Sequence, residues 1–450
     1  METIQTIFDF LTGLGSPVML PIVIFILGLI LGQKIGKAFV SAVTIGVGFI
    51  GLGLVIGLLF DALGPATAQL VETTGLELNS LDVGWGVAAA IAFGTSVGSL
   101  VFVVALGVNL VMLIFNWTKT LNVDMWNYWH YAFTGSLVYL VSGGSLALGL
   151  IAAAIHAVIA LLIADWTAKD VQSFFRLPNV SIPQGWAITS VPIIKILNWI
   201  VDKIPGLRDI YWDDEGLQKK LGVFGQPIIM GAILGLLFGL VAYGFDTKVL
   251  TLAVQMAAVM LLIPRIIAIF MEGLTPLSEA ARAFMQKRFA GREFYIGLDS
   301  AILIGHPITI AAGIILIPLT LLLAAILPGN TTLPAADLAA TAFFVAMVPP
   351  LTKGNLFRSI LYGIIIMTMV LYISTAFAPL LTQIAADIGF AIPEGAVEIT
   401  GLSGGTWIAW VLTSIAKLFG PDTCGFGQRR CDDSHCIQDN RTICRSTLGR

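Results

Sequence analysis

The chain has 450 residues, of which 57% are hydrophobic and only 11% charged, with a mean hydropathy of +0.92 and a formal charge of −3. Soluble domains carry about 25% charged residues, so this much apolar surface belongs in a bilayer and not in a water-soluble fold. The small net charge gives no sign of a nucleic-acid partner.

Windows of about 17 to 25 apolar residues mark candidate spans. They fall near 17–33, 38–60, 87–116, 124–142, 145–164, 223–245, 249–271, 296–327, 338–352, 359–378 and 405–420, eleven in all. No basic n-region or small-residue cleavage site precedes the first, which therefore reads as a retained span and not a removed signal. The second carries Gly46, Gly48, Gly51, Gly53 and Gly57, which allow close helix packing or carbonyls exposed along a cavity. Just ahead of the third lie Asp82 and Trp85, in DVGWG. An aspartate and an aromatic ring at the mouth of a broken helix can contact a solute, and a loop cap explains them equally well.

The windows 87–116 and 296–327 exceed the roughly 20 residues that a bilayer core requires, which predicts broken or re-entrant helices there. At the start of the fourth span, NVDMWNYWH places Asp124, Asn127 and His130 among aromatics, and Asn127, His130 and Thr134 follow a helical stripe. Amide, imidazole and hydroxyl on one face suit a polyhydroxylated solute, with Trp126 or Trp129 against its C–H face. An interfacial aromatic belt is the competing reading. Gly143 and Gly144 divide the apolar run 131–164 into two spans joined by a tight turn. His156, alone on an apolar face, reads as a packed, hydrogen-bonded core residue.

Residues 165–222 mix seven basic and seven acidic side chains with aromatics, which suits a docking surface or a loop lying on the membrane. Glu272 follows the seventh span, where Gly273 and Pro276 would turn the chain. It either enters the cavity or is solvated. In IGLDSAILIGHPITI, Asp299 and His306 stand seven residues apart, which on a continuous helix puts both on one face. An ionised carboxylate at mid-bilayer costs about 2.5 to 3.5 kcal/mol by insertion scales, so such groups line cavities or pair. This pair leads the candidates for a solute path.

With eleven spans, the loops on one side hold 17 Lys and Arg, and those on the other hold Lys248 alone. The positive-inside rule then puts the N-terminus outside and the C-terminus in the cytoplasm. All four cysteines lie in residues 421–450, a polar, arginine-rich tail without helical periodicity that reads as unstructured. Their spacing lacks the CxxC knuckle of a zinc site. No P-loop, dinucleotide fingerprint or HExxH occurs, so neither cofactor nor metal nor covalent chemistry is expected of this chain.

The segments SPVMLPIVIFILGLILGQKIG, DVGW, NVDMWNYWH with the following FTG, AAVMLLIPR, GLTP, EFYIGLDSAILIGH and KGNLFR jointly resemble the galactitol-type IIC permeases of the bacterial phosphoenolpyruvate-dependent phosphotransferase system, across roughly Gly15 to Lys417. The resemblance implies an all-α polytopic protein of the inner membrane, a homodimer in which a core domain rocks against a dimerising domain. It also implies binding of an outside polyol, foremost galactitol, which a cytoplasmic IIB phosphocysteine, supplied through IIA, phosphorylates during uptake. Family members continue into another apolar span after the region matching Trp407 to Gly420, where this chain has its cysteine-rich tail. Residue chemistry by itself leaves a second mechanism open, a secondary transporter with a proton or sodium ion on Asp299 or Glu272 and His306 as relay.

Overall fold

The computed structural model describes residues 16–74, 78–122, 124–212, 227–288, 293–390, 392 and 396–419; the cysteine-rich tail lies outside them. The elements of the first part are α1 (Ser16–Ile30), α2 (Ile35–Thr74), β1 (Ser80–Asp82), α3 (Gly84–Phe93), α4 (Ser96–Ile114), β2 (Thr120–Asn122), a 3-10 turn (Met125–Tyr128), α5 (Trp129–Val141), α6 (Leu146–Phe175), β3 (Val180–Ser181) and α7 (Gly185–Val201). The second part holds α8 (Pro227–Tyr243), α9 (Lys248–Arg288), β4 (Tyr295–Gly297), α10 (Ala301–Ile304) and α11 (Pro307–Ile326). It continues with β5 (Thr332–Leu333), a 3-10 turn (Asp337–Ala340), α12 (Thr341–Phe344), α13 (Val348–Leu351), α14 (Leu356–Asp387), β6 (Glu398–Thr400), a 3-10 turn (Leu402–Gly404) and α15 (Trp407–Phe419).

The two parts repeat one plan: a helix pair, a strand, a broken helix, a strand with a 3-10 turn, a long helix, a strand and a closing helix. The strands are exchanged between the repeats. β1 is the centre of a parallel sheet between β5 and β6, and β4 is the centre of another between β2 and β3. In register, Leu81 faces Leu333 and Ile399, while Ile296 faces Leu121 and Val180. The chain is mostly helical, as expected, and these two small sheets are what the expectation lacked: strands of two or three residues leave no period-two signal to read.

Both overlong windows break where a helix cannot continue. Residues 87–116 divide at Gly94 and Thr95, whose hydroxyl accepts the Gly98 N–H at 3.0 Å and opens α4. Residues 296–327 divide into β4, α10 and α11. Pro307 has no N–H and disfavours helical backbone at the residue before it, so His306 takes φ −85 and ψ 130 and caps α11. Asp299 and His306 therefore do not share a helix face, which corrects the expectation drawn from their spacing.

The turn expected at Gly143 and Gly144 is present, with φ of 74 and 86 between α5 and α6. The turn expected at Gly273 and Pro276 is not: α9 runs unbroken for 41 residues. Gly273 instead lets α9 cross α2, since a Cβ there would stand 2.9 Å from the Ser41 carbonyl oxygen. Next to this crossing the Pro276 carbonyl accepts the Gln33 side-chain amide at 2.7 Å. The window 338–352 is a chain of short turns, since Pro349 and Pro350 cannot sit inside a long helix.

Among the described residues four helices are long and apolar enough to cross a bilayer: α4, α6, α11 and α14. They occupy matching places in the two repeats. α5 is enclosed by α3, α4, α6, α14 and α15, with Trp129 through Val138 all buried. It meets α6 at two glycines: a Cβ on Gly135 would lie 2.7 Å from the Gly149 carbonyl oxygen, and one on Gly149 would lie 2.9 Å from that of Gly135. Gly149→Ala is expected to push the helices apart at a cost of about 1 to 3 kcal/mol and to lower the thermal midpoint in detergent. Gly107→Ala, in the open on α4, leaves the midpoint unchanged or raises it. Equal losses in both variants would contradict this packing.

Candidate functional site

Where a strand turns into a helix, backbone N–H groups lose their partners, and in an apolar interior each must find another. At the carboxyl ends of β1, β5 and β6 two buried carboxylates meet that need. Asp82, 1% exposed, accepts the N–H groups of Gly84 at 3.2 Å and Leu402 at 3.1 Å on Oδ1, and those of Asp337 at 2.7 Å and Ala335 at 3.2 Å on Oδ2. Asp337, fully buried, accepts the N–H groups of Trp85 at 2.7 Å and Ser403 at 2.9 Å. The donors come from all three strand-to-helix turns and from both repeats. Trp85 joins this cluster through its backbone.

The matching ends of β2, β4 and β3 are built differently. Asp299 follows β4 as Asp82 ends β1, and its Oδ1 accepts the Ala301 N–H at 2.7 Å, the same two-residue step as Asp82 to Gly84. Among the described residues no other hydrogen bond reaches this half-buried carboxylate. After β2 come Asp124, buried ahead of the 3-10 turn, then Asn127 and His130. The Asn127 amide donates to Asn122 Oδ1 at 3.0 Å, and among the described residues its own Oδ1 is buried without a partner. His130 Nε2 lies 3.3 Å from Gln184 Nε2, which follows β3, and His130 Nδ1 is likewise buried without a partner. The hydroxyls of Ser300 and Thr309 are in the same state. Adjacent strands are about 4.8 Å apart, so Asp299, Asn127, His130 and Gln184 leave three neighbouring strand ends together.

Other candidates lie elsewhere. His306 sits at the break before α11, where its Nδ1 accepts the Ile308 N–H at 3.3 Å and its ring rests 4.6 Å from that of Phe174 at the end of α6. Glu272 is exposed on α9 beside the crossing with α2 and, among the described residues, bonds to neither cluster. Thr134 takes His156 as its partner, at 2.7 Å, so the expected polar stripe continues into the core. Trp126 lies outside the described side chains; Trp129 stands edge-on to His130 with centroids 3.9 Å apart. At the amino ends of the second sheet Lys119 bonds Glu293 and holds that carboxyl below the usual range.

Trp186 joins the two clusters. Its indole N–H donates to the Ser403 carbonyl at 2.8 Å, and its ring packs against Trp129, His130, Phe343 and Phe344. Asp337, Gln184, Trp186 and Ser403 were not among the sequence candidates. Asp337 had fallen in an interspan loop; its match to Asp124, each at the start of a 3-10 turn, is the signal that identifies it once the repeat is seen. Among the described residues no group of three His, Cys, Asp or Glu side chains is placed to hold a metal ion.

Exchanged repeats, broken helices and unpartnered polar atoms at interrupted backbone define a polytopic membrane transport protein. Residues 9–395 match the profile of the PTS system sugar-specific permease component, and the chain belongs to that family. It is 43% identical over 411 residues to a protein of Escherichia coli K12 whose name provisionally assigns it as a permease IIC component, covering 91% of this chain and 94% of that one. It is 42% identical over 410 residues to the PTS system galactitol-specific EIIC component of the same strain and, equally, of strain O157:H7, covering 91% of this chain and 90% of each. The protein is thus a membrane permease of a phosphotransferase system.

Asp82 and Asp299, at matching strand ends, should respond unequally to amidation. Asp82→Asn sets an NH2 group against backbone donors and removes charge-assisted hydrogen bonds worth about 1.5 to 3 kcal/mol each, so thermal stability in detergent falls by several kcal/mol. Asp299→Asn, with one such bond on an oxygen it keeps, shifts stability by less than about 1 kcal/mol. A reversed order would show that the roles are misassigned.

Proposed function

We propose that this permease takes up galactitol and that the polyol binds at the carboxyl ends of β2, β4 and β3. The observation that carries this reading is the contrast between matching clusters. Asp82 and Asp337 spend their oxygens on six backbone donors, whereas Asp299, Asn127 and His130 retain free hydrogen-bonding atoms. A polyol offers hydroxyls that donate and accept. Asp299 and the Asn127 Oδ1 accept hydrogen bonds from them, His130 orients the chain, and Trp129 covers a C–H face. Asp124, beside the 3-10 turn, completes the polar wall, while Asp82 and Trp85 frame the site from the opposite cluster.

His306 and Glu272 serve the later part of the cycle. His306, half-buried at the break before α11, meets the solute as the site opens to the cytoplasm, and Glu272 positions the terminal hydroxyl. There a IIB phosphocysteine, recharged through IIA, transfers its phosphoryl group, so the chemistry stays on partner subunits. Added charge then prevents back-flux. The frame for this cycle is an eleven-span homodimer in the bacterial inner membrane, N-terminus outside and C-terminus inside, with the core rocking against a dimerising domain. The sequence identity to the galactitol-specific EIIC component supports galactitol as the solute.

Asp299, half-buried and singly bonded, also favours a second reading, coupling of polyol entry to a proton or sodium ion. Labelled galactitol in membrane vesicles separates the two. Group translocation accumulates galactitol phosphate only with phosphoenolpyruvate and the soluble phosphotransferase proteins, insensitive to an uncoupler. Unmodified galactitol that collapses with the ion gradient would overturn it. In the same assay Asp299→Asn is expected to lower apparent affinity at least tenfold, about 1.4 kcal/mol; an unchanged affinity would remove Asp299 from the site.

A further inference from the structure

We infer that Gln184 acts as a positioning residue that holds His130 as the Nδ1–H tautomer, so that His130 meets its ligand as a hydrogen-bond donor. The inference rests on the binding reading only for what the donor meets. The tautomer itself follows from the hydrogen-bond network.

Gln184 is the N-cap of α7 and its side chain accepts the Ala187 N–H at 3.0 Å. A backbone N–H only donates, so the atom facing it is Oε1 and the amide orientation is fixed. Nε2 of Gln184 then points at His130 Nε2, 3.3 Å away. An amide NH2 has no lone pair to offer, so the imidazole nitrogen opposite must be bare. A neutral ring carries one N–H, which here stands on Nδ1. Among the described residues that buried atom has no partner. Tautomers are inferred from networks of this kind, and here the cap leaves one solution.

The fit depends on Gly185. A Cβ at that position would come within 1.8 Å of His130 Cδ2, so only glycine lets the ring lie against the start of α7. Cap, glycine and imidazole thus form one unit: the turn after β3 sets the amide, and the amide sets the proton. The histidine offers a donor, whereas Asn127 offers an acceptor through its unpartnered Oδ1. A secondary alcohol can engage either.

The test is ring nitrogen spectroscopy on the full-length permease in nanodiscs. Trp129–His130 is the only Trp–His pair in the sequence, so carbonyl-labelled tryptophan with labelled histidine picks out His130 without a substitution. The expected spectrum has a proton on Nδ1 and a bare Nε2. Gln184→Glu keeps a cap oxygen but sets a carboxylate against Nε2, and the ring is expected to carry a proton there. Galactitol KM should rise at least fivefold in this variant. A proton on Nε2 in the unsubstituted protein would overturn the assignment, and so would a Gln184→Glu ring that keeps the original pattern. If the spectrum is as expected but no galactitol is bound by the unsubstituted protein, the substrate reading fails and the tautomer stands.

Discussion

Backbone polar groups cannot be left unpaired inside a bilayer, and each place where a helix stops within the protein creates several at once. Among its described residues this chain interrupts its helices at six strand ends, three to a sheet. At one sheet the debt of donors is met by Asp82 and Asp337, which gather N–H groups from turns of both repeats. The exchange of central strands means that neither repeat completes a sheet alone. The carboxylate pair therefore joins the halves as well as satisfying the backbone.

Once one sheet is closed in this way, its partner is free to be different. The repeat supplies Asp299 where it supplied Asp82, and Asp124 where it supplied Asp337, but the surrounding donors are not the same. Among the described residues Asn127 Oδ1, His130 Nδ1 and the Ser300 hydroxyl are buried there without partners, and each costs free energy unless a ligand or water meets it. Trp186 lies between the clusters and touches both, through its ring to His130 and its N–H to Ser403.

Much of the membrane architecture was legible in the sequence. Excess length exposed the broken helices at 87–116 and 296–327, and Gly143 with Gly144 gave the turn between α5 and α6. The strands were not legible, because two or three residues carry no period. The repeat was hidden for a related reason: its halves share the order of elements, while loop lengths and residue types differ between them. Without the repeat, Asp337 had no claim over other acidic residues, and Gln184 read as part of a polar connecting loop. The Asp299 and His306 spacing misled because Pro307 ends one helical register and starts another. At Gly273 and Pro276 the error ran the other way, where turn-forming residues served a helix crossing and an inter-helix hydrogen bond.

The central claim is that the two strand-end clusters have divided the labour, one for the frame and one for the solute. The most direct measurement is a high-resolution structure of the protein in nanodiscs with saturating galactitol. The account predicts ligand density touching Asp299, Asn127 and His130, with the backbone bonds to Asp82 and Asp337 intact. Density seated on the Asp82 and Asp337 carboxylates, with their backbone donors displaced, would contradict it.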